Sequence, residues 1–499
     1  MIDLTLAEIA DIVGGELSDI TPEAAAATRV TGTVEFDSRA VTAGGLFLAL
    51  PGARTDGHDF AAGAVAAGAV AVLAARPVGV PAIVVKPVAG QVDSASGALE
   101  HDIDGSGAAV LAALGRLARA VADRLAAGGL RIIGVTGSSG KTSTKDLLAA
   151  VLAPLGDVIA PPGSFNNELG HPWTVLRATT DTDFLVLEMS ARHPGNIAAL
   201  AAIAPPSIGV VLNVGTAHLG EFGSRDVIAA TKSELPQAVP ADGVVILNAD
   251  DGAVAAMAET TAARVVRVSR SPGADLWAGD VALDELARPR FTLRAGEQQV
   301  DIALAVHGDH QVSNALSAAA VALECGATLQ QVADALAGAG PVSKHRMQVT
   351  TRADGVVVVN DAYNANPDSM RAGLKALAWM AKSARAESGA PVRSWAVLGE
   401  MAELGDDAIA EHDSIGRLAV RLDVSRLVVV GTGRTMGAMQ HGAVMEGSWG
   451  SEVSPVPDAG AALDLLRAEL EPGDVVLVKA SNSAGLGALA EELAREGQA

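Results

Sequence analysis

The chain has 499 residues, more than one hydrophobic core can organise, so about three domains of ordinary size are expected. Hydrophobic residues (49%) and charged residues (19%) stand in the proportions of a well-packed globular protein, and with aromatics at 3% the cores must be filled by Ala, Val and Leu. A formal net charge of -22 argues against nucleic acid as a partner, although a small anionic ligand can still be held by backbone N–H groups, a lysine and a metal.

Residues 1–5 lack the basic stretch of a signal peptide, and the most apolar segment, residues 61–85, is interrupted by Arg76, Pro77 and Pro81. No membrane insertion is expected. The lone Cys325 permits no internal disulfide, which fits a reducing cytoplasm, and it reads as a small buried hydrophobe.

In chain order, residues 34–36 and 46–50 read as strands, 61–68 as a helix, and 69–73 and 82–85 as strands. Residues 91–107 turn polar, acidic and rich in Gly and Ser, the composition of an exposed linker or loop insertion. Leu111, Leu114, Leu117, Val121 and Leu125 then recur at helical spacing. Apolar runs at 131–135, 184–188, 208–213 and 244–248 alternate with helical segments, which argues for a mostly parallel sheet, and 312–323 is a late helix of that region. The turn-like Gly338-Ala339-Gly340-Pro341 marks a second boundary. Buried-strand runs at 356–360, 395–398, 427–430 and 475–479 follow, as in a smaller doubly wound, Rossmann-like domain. The expected fold is α/β in three domains, at residues 1–105, 106–340 and 341–499.

The strongest local signal is Gly137-Ser138-Ser139-Gly140-Lys141-Thr142, followed by Ser143, between an expected strand and an expected helix. Glycines let the backbone turn its N–H groups onto phosphate, Lys141 can reach terminal phosphate oxygens, and the Thr142 hydroxyl suits Mg²⁺. Val135 stands where the longer phosphate-loop pattern has its first glycine, so the match is to the shorter core. Glu188 ends the run 184–188 and His218 follows the run 208–213, positions whose side chains point into the ligand crevice of a parallel sheet. Singly, each is also compatible with an ordinary strand end or loop; beside a phosphate loop they fit divalent-metal ligands.

The Gly137–Thr142 core, the runs at 164–170, 188–191, 213–219, 231–235 and 360–369, and Leu398-Gly399-Glu400-Met401 together resemble the Mur ligases in order along the chain. The resemblance spans nearly the whole chain except residues 91–107. It implies an N-terminal UDP-binding domain, a central ATPase domain and a C-terminal domain that closes over nucleotide and amine donor. It also implies a cytoplasmic, monomeric ligase that uses ATP and Mg²⁺ to form an amide through an acyl phosphate. The Phe165-Asn166-Asn167 and Tyr363–Ser369 segments are most similar to the branch that joins D-alanyl-D-alanine to UDP-N-acetylmuramoyl-tripeptide.

Carried over residue by residue, the resemblance gives Lys141, His218 and Lys232 catalytic roles. Thr142, Glu188, His218 and a carbamylated Lys232 would face metal. Ser138, Ser139, Ser143, His310, Asn314, Arg346 and Asp361 would join the loop glycines around ATP. Ser38, Arg39, Asn166 and Asn167 would hold the UDP precursor, and Tyr363, Asn364 and Asn366 the amine donor. Gln311 stands where the family commonly has Asn, and Lys479-Ala480-Ser481-Asn482 departs from the frequent Lys-Gly-Ser-Arg. Competing readings are the sibling ligase adding meso-diaminopimelate or lysine, a folylpolyglutamate synthase-like enzyme, a non-catalytic nucleotide-binding homologue and a generic phosphotransferase. The Asp37-Ser38-Arg39 segment speaks against the folate branch. The set Lys141, Thr142, Glu188, His218 and Lys232 speaks against a decayed binding protein, because packing does not require it.

Overall fold

The computed structural model describes residues 1–52, 55–87, 99, 102–215, 219–389, 391–447 and 452–496. The chain opens on a short strand, Leu4–Thr5, paired antiparallel with Arg29–Val30, and on helix Leu6–Val13, which the sequence reading did not anticipate. Thr5 caps it: the Thr5 hydroxyl accepts from the Glu8 amide at 3.1 Å while the Glu8 carboxylate accepts from the Thr5 amide at 2.8 Å. Leu6, Ile9, Ala10 and Val13 form its buried face. The first sheet has the order Glu16–Ser18, Ala82–Val84, Ala69–Ala74, Gly45–Leu48, Val34–Glu35, parallel except for its first strand.

Helix Ser106–Ala127 ties this region to the next. The Asp102 carboxylate accepts from the amides of Gly107 (2.9 Å) and Ala108 (2.8 Å), and Asp104 accepts from the Ser106 amide (3.0 Å). Acidic groups thus satisfy the free N–H groups of the first turn, so Ser106 and Gly107 belong to a buried helix and not to a linker. Residues 91–98 and 100–101 of that expected linker lie outside the described residues. The stripe Leu111, Leu114, Leu117, Val121 and Leu125 is buried in one cluster with Ile9 and Val13 before it and Leu185 and Leu187 beyond it. Arg116 fixes the junction by donating to the Val13 carbonyl from two nitrogens (2.7 and 3.1 Å).

The second sheet has nine strands. Val158–Ile159, Phe184–Glu188, Arg131–Thr136, Ile208–Val211, Val244–Asn248, Arg264–Ser269 and Leu276–Leu283 run parallel; Pro289–Ala295 runs against them, and Gln298–Ala303 pairs antiparallel with Pro289–Ala295 at the edge. Four of these parallel strands, Arg131–Thr136, Phe184–Glu188, Ile208–Val211 and Val244–Asn248, match the expected apolar runs because helices cover both faces, whereas Val158–Ile159, Arg264–Ser269 and Leu276–Leu283 are additional to that expectation. Glu188 lies opposite Val135 and Val211 opposite Thr136, so three strand ends deliver their following loops side by side.

The third large sheet has the order Gln348–Thr351, Val357–Asn360, Val475–Lys479, Ser394–Leu398, Arg426–Val430, Val453–Val456, all parallel but the first. Alternate residues serve two cores. Val358, Trp395, Val397 and Val476 enter one cluster, and Val359, Ala396, Leu398 and Leu477 enter the other. No helix among the described residues is long and apolar enough to cross a membrane.

Candidate active site

A cavity of about 830 Å³ lies between the C-terminal strand ends of the nine-stranded sheet and those of the last sheet. Its floor is the phosphate loop, between strand Arg131–Thr136 and helix Lys141–Leu152. Gly140 has φ +83°, and a β-carbon there would lie 2.7 Å from Asn314 Oδ1, so the position excludes other residues on both counts. Asn213, at the end of the neighbouring strand, holds the loop open. Its carbonyl accepts from the Ser138 amide (3.1 Å) and its Oδ1 from the Ser139 amide (2.9 Å). The sequence reading gave Asn213 no role; its place just past a central strand was the available signal.

Lys141 folds back onto its own loop, donating to the Gly137 carbonyl at 2.7 Å. Burial pulls its pKa down to about 8, against the opposing charge of Glu188 and with the help of Arg346. Glu188 is 3% exposed, and one of its oxygens accepts from Thr142 Oγ1 (3.2 Å) and Ser164 Oγ (3.1 Å). Its other oxygen, Oε1, is buried with no hydrogen-bond partner among the described residues. Burial raises the Glu188 pKa, against the charges of Lys145, Lys141 and Arg346. An orphaned carboxylate oxygen beside a threonine hydroxyl and a phosphate loop fits a hard divalent cation. No three His, Cys, Asp or Glu side chains cluster to hold a metal among the described residues, so such an ion would rely on phosphate oxygens and water as well.

The opposite wall comes from the last third of the chain. Arg346 donates to Thr142 Oγ1 at 3.2 Å, lies 4.2 Å over the Tyr363 ring, and leaves Nε buried without a partner among the described residues. Asp361 accepts from the Met347 amide (3.0 Å) and pairs with Lys479 at 2.6 Å. Burial lowers the pKa of Lys479, which is 2% exposed, and Asp361 opposes that shift. Two further contacts cross between the walls: Arg192 pairs with Glu403 at 2.6 Å, and Gly220 meets the backbone of Gly405.

The remaining expected site residues do not all meet at the cavity. Ser138, Ser139, Ser143, His310, Asn314, Tyr363 and Asn364 line the cavity. Burial pulls the His310 pKa down, and Asn314 donates to Gln311 Oε1 at 2.9 Å. Asn166 and Asn167 line the same cavity, whereas Ser38 and Arg39 do not. Arg39 points away from burial, with an 87% exposed side chain closed on Asp37, whose carboxyl it holds down at about 2 by hydrogen bonding. Asn366 is occupied by secondary structure: it caps helix Pro367–Ser388, its Oδ1 accepting from the Ser369 amide at 2.9 Å, and its Nδ2 reaches the Ser138 carbonyl at 3.5 Å. Lys232 is buried in helix Arg225–Ala238, where burial and then the charge of Lys141 drive its pKa well down. His218 lies outside the described residues.

Comparison with known proteins resolves what this arrangement belongs to. The pattern of the Mur ligase family, catalytic domain, matches residues 32–120; the Mur ligase middle domain matches 135–322; and the Mur ligase, glutamate ligase domain matches 345–482. A UDP-N-acetylmuramoyl-tripeptide–D-alanyl-D-alanine ligase of Mycobacterium tuberculosis (strain ATCC 25618 / H37Rv) is 74% identical over 99% of this chain and 98% of its own. The chain belongs to the Mur ligase family. The Escherichia coli (strain K12) ligase of the same name is 33% identical over 100% of both chains. The crystal structure of MurF from Acinetobacter baumannii matches this Mur ligase with a TM-score of 0.81 at 28% identity, over 99% of each chain. That of the MurF ligase from Thermotoga maritima in complex with ADP matches with 0.73 at 27% identity, over 94% of this chain and 98% of that one.

Proposed function

We infer that this Mur ligase joins D-alanyl-D-alanine to UDP-N-acetylmuramoyl-tripeptide, cleaving ATP to ADP and phosphate, in the synthesis of the peptidoglycan precursor. Full-length similarity at 70–74% identity to ligases of that name carries the reading, and a cavity built around a phosphate loop supports it. A carboxylate oxygen of the tripeptide attacks the γ-phosphorus, and the bond to ADP breaks. The dipeptide amine then attacks the acyl carbon, loses a proton, and phosphate leaves with the former carboxylate oxygen. Lys141 and Arg346, on opposite walls, offset the charge on the transferring phosphoryl group. Mg²⁺, which the family uses with ATP, supplies further neutralisation there; Thr142 and Glu188 would hold it, with His218 as the sequence suggests.

Lys232 supports the carbamate reading through its own chemistry. A buried lysine with a depressed pKa is available as the free amine, the form that adds to the carbon of CO₂ with loss of a proton. In our reading residues 1–105 hold the UDP moiety through Ser38 and Arg39, 106–340 bind ATP, and 341–499 close over it, with Asn166 and Asn167 meeting the peptide end of the precursor. Tyr363, Asn364 and Asn366 offer the donor neutral hydrogen-bonding groups suited to its internal amide. We read the enzyme as a monomer working in the cytoplasm, as its likeness to ligases of peptidoglycan precursor synthesis suggests.

The test is kcat/KM for D-alanyl-D-alanine against D-alanine and meso-diaminopimelate, each with its proper UDP-linked acceptor. The dipeptide should exceed the single residues by several powers of ten, because a missing residue leaves buried polar groups unpaired. Preference for meso-diaminopimelate with the dipeptide acceptor would overturn the substrate assignment and leave the ligase class standing.

A further inference from the structure

Outside the cavity, Lys145, Asp146 and Ser343 form a buried polar cluster that the reaction scheme above does not use. Lys145 and Asp146 lie on the phosphate-loop helix Lys141–Leu152, and Ser343 lies on the connection from helix Leu329–Gly338 to strand Gln348–Thr351. Ser343 is 3% exposed. Its amide donates to Asp146 Oδ2 (3.0 Å), its hydroxyl donates to Asp146 Oδ1 (3.1 Å), and the same hydroxyl accepts from the Gly163 amide (3.1 Å). Lys145 closes the cluster, pairing with Asp146 at 2.7 Å and donating to the Pro161 carbonyl at 2.6 Å.

The spacing gives this cluster a consequence at the site. Thr142 and Asp146 are one turn apart on the same helix face. The connection runs beside that face, bonding Asp146 through Ser343 and Thr142 through Arg346. Between and after these two contacts stand His345 (φ 58°) and Met347 (φ 48°), both in the left-handed region that side chains seldom adopt. Such a backbone persists only when its surroundings fix it, and the Ser343–Asp146 bonds are the anchor on the helix side. Gly163 adds the loop that leads to Ser164, which bonds Glu188.

We propose that Ser343, held by Asp146, is a positioning residue that sets Arg346 over the nucleotide phosphates, an inference that rests on the ligase reading. The test is a cycle of Ser343→Ala, Arg346→Ala and the double variant, with Asp146→Asn in place of Ser343→Ala as a second series. Rates are normalised to the folded fraction from circular dichroism. Ser343→Ala should lower kcat about tenfold, the usual effect of losing a hydrogen bond to a charged group, with ADP affinity nearly unchanged. With Arg346→Ala already present, the same change should alter kcat by less than about twofold. Wild-type kcat in both Ser343→Ala and Asp146→Asn, or losses that multiply in the double variants, would overturn the proposal. The donor preference of the wild-type enzyme tests the ligase reading separately, and the cycle is run with whichever donor that enzyme uses.

Discussion

Gly220→Ala tests domain closure, because Gly220, two residues beyond His218, meets Gly405 across the two walls. A β-carbon at Gly220 would lie 2.5 Å from the Gly405 amide nitrogen and 2.6 Å from its α-carbon. Both are backbone atoms, and Gly405 (φ +57°) has no side chain to withdraw. Restoring ordinary contact requires the joint to open by about 1 Å. A misplacement of about 1 Å between reacting groups costs on the order of a hundredfold in rate. The variant should therefore lose about two powers of ten in kcat with a much smaller effect on ADP binding, since the phosphate loop lies on one wall and only residues such as Arg346 and Asp361 reach the nucleotide from the other. The assay is ADP release with saturating acceptor and dipeptide, alongside scattering profiles with and without an ATP analogue plus precursor. Gly437→Ala is the control, because a β-carbon there meets nothing within 4 Å. Full activity of Gly220→Ala, with the wild-type change in compactness, would refute the reasoning.

Other perturbations address single groups. Lys141 has a pKa of about 8 in the unliganded protein, and bound phosphate should restore it toward 10.5, so ADP binding in metal-free buffer should take up about half a proton near pH 8 and weaken about 20-fold from pH 7.5 to 9.5. The sign for stability is opposite: the unfolded chain binds more protons between about 8 and 10.5, so unliganded stability should rise with pH across that window, and a Lys141→Met variant should lose both effects. Lys232→Ala should be inactive and partly recovered by short carboxylates that replace the anion beside the metal; an active variant without additive would return Lys232 to an ordinary lysine. Lys479→Met should cost about 3–5 kcal/mol in denaturant unfolding, because it leaves Asp361 buried without its cation; an unchanged midpoint would count against that pair as a structural element.

What the sequence made legible follows from burial. Strands such as Phe184–Glu188 and Val475–Lys479 are covered on both faces and so appear as continuous apolar runs. The antiparallel strands between Leu276 and Ala303 were not foreseen: in Pro289–Ala295, the more accessible Arg290, Thr292 and Arg294 alternate with buried residues and interrupt any apolar run. Helix Leu6–Val13 was missed although Thr5 and Glu8 carry a capping box in plain sequence. In the site, Lys141 and Glu188 were readable because Lys141 opens the helix after one apolar parallel strand and Glu188 ends another. Asn366 was read for chemistry, yet Asn before Pro is also a helix-start signal, and the structure uses it so. The Asp146–Ser343 bonds span 197 residues, a separation at which a single sequence gives no local pattern to read.

Strand Val475–Lys479, last of its sheet in chain order, sits between Val357–Asn360 and Ser394–Leu398. Until those five residues leave the ribosome, the two neighbours have no common partner and the sheet has a gap at its centre. The phosphate loop is built on the nine-stranded sheet, so a growing or prematurely ended chain would carry a nucleotide floor without its roof. Lys479 ends the missing strand, and the Asp361 carboxylate has no cation until it arrives. The catalytic enclosure is therefore completed only after this strand has been made and inserted between its two earlier neighbours.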